Sequence, residues 1–152
     1  MNEIKICYTA SEGGHTHELM QLDELLQKYP GILITEGKHA QAPFDAVYTV
    51  PQVNRKSIRS LFRFVQSFFT IRKILLKEKP THIISCGAMC TVPVCMIGKL
   101  MKIQVIYVES YTRIQDLSLT GKILYPFADL FVVQWKQLKD KYPKAVYGGA
   151  LF

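Results

Sequence analysis

The residue types best suited to chemistry fall in three short segments. Ser11-Glu12-Gly13-Gly14-His15-Thr16 stands between an apolar run and a helical pattern. Glycines at such a junction let the backbone come close to a ligand, and a helix start offers free N–H groups and a positive dipole end to a phosphate. His15 can serve there as a general base or as a donor to phosphate. Glu12 counts against a purely phosphate-binding loop, because a carboxylate repels phosphate. The other reading is a plain tight turn with Thr16 as a helix cap. Glu109-Ser110-Tyr111-Thr112-Arg113 follows a second apolar run. Glu109 is a candidate acid or base at a strand end, with a salt bridge to Arg113 or a cap for the next helix as the alternatives. The third segment is the loop Gly87–Thr91.

Several chemistries lack their signatures. G-x-G-x-x-G is absent, and Gly121-Lys122 is followed by Ile123 rather than Ser or Thr, so neither nucleotide fingerprint is present and no cofactor is expected. Cys7, Cys86, Cys90 and Cys95 include no Cys-x-x-Cys pair, and the C-x3-C-x4-C spacing is not a usual zinc pattern. No metal is expected, and the cysteines read as free thiols. The start of the chain lacks the n-region and h-region of a signal peptide. Thr81–Gly98 carries no Asp, Glu, Lys or Arg, but Gly87, Pro93 and His82 within it favour a buried strand, a loop and a helix over a membrane span.

These segments need elements to position them. Strands are expected at Ile4–Thr9, Ile32–Thr35, Ala46–Val50, His82–Cys86, Gln104–Val108, Leu130–Val133 and Ala145–Tyr147. Helices are expected at Leu19–Tyr29, Arg55–Lys77, Val92–Met101, Thr120–Phe127 and Trp135–Lys141. With 152 residues and 49% hydrophobic content, the chain suits a single domain, 1–152. Strands alternating with helices, several of them uniformly apolar, indicate a Rossmann-like α/β fold: a parallel sheet with helices on both faces. Ligands bind such sheets at the C-terminal ends of the strands, where all three segments fall.

The charge is local. The chain has 19 basic and 12 acidic residues, a formal net charge of +7. Eight of those bases and one of those acids lie between Asn54 and Lys79, leaving 11 of each sign elsewhere. On a helical wheel Arg55, Arg59, Arg63, Lys73 and Lys77 share one face, with Lys56 beside them, while Ile58, Leu61, Phe62, Val65, Phe68, Phe69, Leu75 and Leu76 spread over the other side and Arg72 falls in the apolar arc. A core helix with a solvated basic back is one reading. The sharper one is an anionic membrane surface with phenylalanines at the rim dipping into it. Nucleic acid is the rival partner, set aside because no groove-reading module appears. Trp135, the only tryptophan, reads first as core and second as interface.

Several segments together resemble one family. Ser11–Thr16 resembles its S-x-G-G-H loop. Asn54-Arg55, Lys79-Pro80-Thr81-His82-Ile83-Ile84-Ser85-Cys86-Gly87, Tyr107-Val108-Glu109, Leu117-Ser118-Leu119-Thr120-Gly121-Lys122, Val133-Gln134-Trp135 and Tyr142-Pro143-Lys144-Ala145 follow in its order. The family is the non-catalytic, acceptor-side subunit of split glycosyltransferases. Its eukaryotic branch serves dolichol-linked oligosaccharide synthesis and its bacterial branch capsule and exopolysaccharide synthesis.

The resemblance implies the N-terminal half of a GT-B glycosyltransferase, with a separate catalytic chain as the UDP-sugar-binding half. Gly13, Gly14, His15 and Thr16 would face the diphosphate of a lipid-linked saccharide acceptor, with Ser11, Gly87 and Ser110 beside them and His15 and Glu109 as the candidate catalytic groups. The membrane anchor of the eukaryotic members is missing, so contact with the inner face of the cell membrane would come from the basic surface, in a protein otherwise cytoplasmic. Gln134, Trp135, Gly148, Gly149, Leu151 and Phe152 would meet the partner. The alternatives are a self-sufficient small transferase and a nucleic-acid-binding module using the basic helix.

Overall fold

The computed structural model describes residues 4–37, 43–51 and 58–151, with side chains throughout except at 58–61 and 64. Seven strands, β1 (Ile6–Ser11), β2 (Ile32–Glu36), β3 (Ala46–Thr49), β4 (His82–Ser85), β5 (Gln104–Val108), β6 (Leu130–Val133) and β7 (Val146–Tyr147), form one sheet in the order β3-β2-β1-β4-β5-β6-β7. Every neighbouring pair is parallel. Among the described residues the helices are α1 (Gly14–Met20), α2 (Asp23–Lys28), α3 (Ile58–Glu78), α4 (Thr91–Leu100), α5 (Leu119–Leu124) and α6 (Lys136–Lys141). The chain leaves β1 toward β2 and later returns to β4 on the other side of β1. The loops after β1 and β4 therefore diverge and open a crevice at their C-terminal ends.

Alternating side chains of each strand feed two cores. Cys7, Ile32, Ile34, Ile83 and Tyr107 face a layer built by Ile71, Ile74 and Leu75 of α3, Val94, Cys95 and Ile97 of α4, Leu124 of α5 and Leu138 of α6. Ile6, Tyr8, Leu33 and Ile84 face Leu19 of α1 and Leu26 of α2. Helices thus lie on both faces, in the Rossmann-like arrangement expected. The second face is covered unevenly. Over β5–β7, Ile106, Leu130 and Val132 line an apolar groove of approximately 270 Å³ with Leu22, Leu25 and Leu151. Val146, in register with Val132, is exposed on the same face.

Four expectations change. The first strand runs on to Ser11, because Ser11 stays in register with Glu36 of β2. The single helix Leu19–Tyr29 is two, broken at Gln21-Leu22, where Leu22 leaves helical geometry (φ −80°, ψ 40°) and Asp23 and Glu24 open a new first turn. The helix expected at Thr120–Phe127 is Leu119–Leu124, started by the Ser118 hydroxyl, which accepts from Gly121 N. In α3, the part of the apolar arc that holds Arg72 faces solvent and not the core. Phe62, Val65, Phe69 and Leu76 are themselves exposed, Phe62 and Phe69 by 64% and 69%, while Ile71, Ile74 and Leu75 of that helix are buried in the core and Phe68 packs against it. Arg72 lies in solvent at the edge of that exposed stripe, with Arg63 and Lys73 on its other side.

Candidate functional site at the ends of β1, β4 and β5

The turn after β1 is set by one glycine. Gly13 adopts φ 92° and ψ −133°, a conformation L side chains rarely adopt, and directly precedes α1. Gly14 needs no such freedom, and a Cβ there would meet nothing within 4 Å. Thr16 does not cap the helix. Its hydroxyl reaches back to the carbonyl of Ser11 at 2.6 Å and fastens the turn to the end of β1. Glu12 is exposed and lies against Gly37 after β2, lining a separate cleft with Thr35 and Glu36.

His15 turns toward β4. The Nδ1 and Cε1 edge of its ring faces Gly87, where a Cβ would come within 3.0 Å of both atoms. Gly87 (φ 106°) and Ala88 (φ 72°) both have positive φ. For alanine that conformation is strained, and strain of this kind is held in place by its surroundings. The Nδ1 atom is buried without a hydrogen-bond partner, and Glu18 Oε2 lies 3.6 Å away, at ion-pair distance but beyond a hydrogen bond.

Glu18 is the residue that sequence reasoning missed. It lies on α1 one turn after His15 and is only 5% exposed. Its Oε1 accepts from Tyr111 N at 2.7 Å and from the Ser110 hydroxyl at 2.9 Å, so one carboxylate joins the loop after β1 to the loop after β5. The readable signal was the His-x-x-Glu spacing, which places both side chains on one helix face.

Electrostatics follow from these contacts. The Glu18 carboxylate raises the His15 pKa above its ordinary 6.5; burial opposes this, and the Cys86 carbonyl and the Glu109 carboxylate add to it. Burial pushes the Glu18 carboxyl upward, but His15, Tyr111 N and Ser110 together hold it below the usual carboxylate value. Burial raises Glu109 against the opposing donors at Ser110 and Ser118.

Glu109 is 1% exposed and its oxygens are occupied. Oε1 accepts from Ser110 N at 2.9 Å, and Oε2 accepts from the Ser118 backbone and hydroxyl at 3.0 and 3.1 Å. Ser118 is the N-cap of α5, so these contacts match the helix-cap alternative; Arg113 acts on Glu109 only through its charge.

Gly14, His15, His17, Glu18, Ser110, Tyr111 and Thr112 line an open groove of approximately 360 Å³. Of the residues expected at the acceptor, the structure brings Gly14, His15 and Ser110 onto the groove, Gly13 and Thr16 onto the turn that shapes it, and Gly87 behind the imidazole. Ser11 is buried as the anchor of that turn. The groove can offer an anionic ligand a partly exposed imidazole and the Thr112 hydroxyl, beside an aromatic ring.

The residues expected at a partner interface form a second cluster beside β6 and β7. Trp135 is neither wholly core nor bare surface. Its Nε1 donates to the Tyr111 carbonyl at 2.6 Å and its ring packs on Tyr111 with centroids 4.9 Å apart. Gln134 is buried, Leu151 lines the apolar groove over β5–β7 together with Gly148 and Gly149, and Phe152 lies outside the described residues. Among the expected membrane-facing bases, Arg63 and Lys73 are exposed, whereas Lys77 is engaged with the Tyr48 hydroxyl at 2.9 Å and with Glu78 at 3.6 Å. Arg55, Lys56 and the side chain of Arg59 lie outside the described residues.

Among the described residues no helix is long and apolar enough to cross a membrane, and no group of three or more His, Cys, Asp or Glu is placed to hold a metal ion. The four cysteines are buried and unpaired.

Solved structures with the same fold include MurG of Acinetobacter baumannii (TM-score 0.72, 14% identity, 89% of this chain and 43% of that one). A UDP-N-acetylglucosamine 2-epimerase of Rickettsia bellii is similar too (TM-score 0.71, 14% identity, 97% and 45%). This chain spans less than half the length of either, so its fold is that of one Rossmann-like half of a GT-B protein. Sequence relatives cover more of their own length. The rat UDP-N-acetylglucosamine transferase subunit ALG14 is 36% identical over 97% of this chain and 83% of that protein. The mouse protein of that name is 29% identical with the same coverage, and the Yarrowia lipolytica one is 30% identical over 97% and 81%. These names carry N-acetylglucosamine transfer and not the capsule or exopolysaccharide synthesis expected of the bacterial branch. The family model described as oligosaccharide biosynthesis protein Alg14 like matches residues 34–151, and with these relatives it establishes that the chain belongs to the Alg14-like family.

Proposed function

We propose that this chain is the acceptor-side subunit of a two-chain UDP-sugar glycosyltransferase that builds a lipid-linked oligosaccharide, with UDP-N-acetylglucosamine as the donor bound by a separate catalytic chain. One observation carries the reading: the chain is like proteins named transferase subunits over nearly its whole length, while its fold is like only one half of two-domain GT-B structures. In this reading the groove after β1 and β5 receives the acceptor diphosphate. Gly14 lines it, Gly13 and Thr16 set the turn that carries Gly14 and His15, His15 supplies charge or a proton acceptor, and Gly87 and Ser110 hold the surroundings. Glu109 supports the loop from below. The apolar groove at Leu151, with Gln134 and Trp135 beside it, receives the catalytic chain.

A lipid-linked acceptor needs a membrane nearby. Strands and helices alternate in direction here, so α3 begins at the same end of the sheet at which β1 and β5 deliver their loops. The exposed Phe62, Val65 and Phe69, flanked by Arg63, Arg72 and Lys73, therefore lie toward the acceptor end. An exposed apolar stripe between bases suits an anionic leaflet, where each base adds about 1 kcal/mol. The protein would then work as a peripheral membrane protein on the cytoplasmic face.

The test is reconstitution. The purified chain alone is expected to show no transfer from UDP-N-acetylglucosamine to a lipid-diphosphate saccharide, and addition of the catalytic chain is expected to produce it. Robust transfer by this chain alone would sink the proposal.

A further inference from the structure

We infer that Glu18 is the positioning residue of His15: it holds the ring proton at Nδ1 and so presents Nε2 to the groove. The inference rests on the acceptor-site reading above for its purpose and on geometry for its content. The His15 ring is 34% exposed although its Nδ1 atom is fully buried. Nδ1 and Cε1 are turned to Gly87, which leaves the Nε2 and Cδ2 edge as the exposed part. A buried imidazole nitrogen with no hydrogen-bond partner is costly unless a nearby group compensates it. The only carboxylate at ion-pair distance among the described residues is that of Glu18, whose Oε2 is 3.6 Å away.

Glu18 itself is not free to wander. Oε1 is fixed by the Tyr111 amide and the Ser110 hydroxyl, both from the loop after β5, so Oε2 is the one oxygen directed back at the histidine. A neutral imidazole keeps its proton on the nitrogen that faces a fixed acceptor, which leaves the other nitrogen free to accept one. Here that acceptor is anchored across the groove from α1. A side-chain adjustment of roughly half an ångström would bring the pair to hydrogen-bond distance. In the neutral ring Nε2 is then a proton acceptor for a hydroxyl; in the protonated ring it is a cationic donor to phosphate. The other groups that face His15 are the Cys86 carbonyl and the Glu109 carboxylate on the β4 and β5 sides, while His17 of its own helix lines the same groove. Glu18 is distinct among them in being both charged and tied to the opposite loop.

The test needs neither partner nor substrate. Long-range proton–nitrogen NMR spectra of the labelled chain, with His15 signals identified by their loss in His15→Asn, read tautomer and titration directly. The wild-type neutral ring is expected to carry its proton on Nδ1 and to titrate above 6.5. In Glu18→Gln the midpoint is expected to move down toward or below 6.5 and the Nδ1–H preference to weaken. Glu18→Asp, which keeps the charge, is expected to restore part of both. An unchanged midpoint and tautomer in Glu18→Gln would overturn the inference. A wild-type ring found as the Nε2–H tautomer would overturn it without any variant, should Glu18→Gln fail to fold. Because no transfer is measured, a chain that passes this test and still fails reconstitution refutes the proposed function alone, and the reverse result refutes the Glu18 assignment alone.

Discussion

The side-chain amide of Gln134 donates to the backbone carbonyl of Glu109 at 3.1 Å, and its oxygen accepts Leu151 N at 2.9 Å. Two regions that look separate in the sequence are therefore joined by a single buried side chain. The loop that carries Ser110 and Tyr111 is held on one side by Gln134, and the end of the described chain is held on the other.

Gln134→Ala would leave the Glu109 carbonyl and the Leu151 amide without their partner. The expected cost is about 1–3 kcal/mol of folding stability, read by urea unfolding. If Leu151 lines the docking groove as proposed, the same variant should also weaken association with the catalytic chain in a titration, while Leu151→Ser weakens association with a smaller effect on folding.

Gly121 is pinned by its neighbours. A Cβ there would strike Glu109 Oε2, the oxygen that receives both Ser118 donors. Gly121→Ala is expected to destabilise the fold by roughly 1–3 kcal/mol through overpacking. Ser118→Ala removes the α5 cap and is expected to cost about 0.5–2 kcal/mol. Because both act on the same contact, the double variant should lose less than the sum; additive losses would separate the two effects.

Glu78 sets an acid limit. Lys5 and Tyr48 hydrogen-bond its carboxylate, and its pKa falls from 4.5 to about 2. A depressed folded-state pKa means that protons bind the unfolded carboxyl first. The contribution is therefore full above pH 4.5 and is lost as the pH falls toward about 2. Glu78→Gln should flatten the stability profile over that window and leave its neutral limb parallel to the wild type, as measured by denaturation midpoints from pH 2 to 7. An unchanged acid limb would assign the acid loss to other carboxylates.

The α3 surface separates two binding modes. Arg63→Glu combined with Lys73→Glu removes charge without touching the core, and Phe62→Ser combined with Phe69→Ser removes apolar contact without touching charge. In flotation with anionic vesicles the charge pair should weaken binding about 10-fold or more per reversed residue and reduce its salt sensitivity. The phenylalanine pair should weaken it on neutral and anionic vesicles alike. Binding unaffected by either pair would remove the membrane from this face.

Much of the architecture was legible because both of its codes are local. Runs such as Ile32-Leu33-Ile34-Thr35 and Ile83-Ile84 read as buried parallel strands, and Pro30-Gly31 marked the end of a helix that the structure indeed closes there. The break at Gln21-Leu22 was not legible, because Leu22 continues the helical spacing of Leu19 while its side chain serves the sheet face from a new helix. The site was legible as segments and not as contacts. His15, Gly87 and Ser110 stood out by residue type and loop position, but the carboxylate that ties them together is Glu18, which looked like ordinary helix surface. Its partners are more than ninety positions away in the chain, and only the sheet order brings them to it. The same distance effect turned Trp135 from a core residue into a brace for Tyr111.

In the proposed two-chain assembly, the bare half of the second sheet face would make this chain's stability a matter of mass action. A surface that covers Ile106, Leu130, Val132 and Val146 binds the folded chain and not the unfolded one, so it stabilises in proportion to the logarithm of its own concentration. Molecules made in excess of that surface would be the least stable in the population, with the groove's apolar floor still open to water. Abundance would then follow stoichiometry, set by the covering surface and not by the chain's own synthesis.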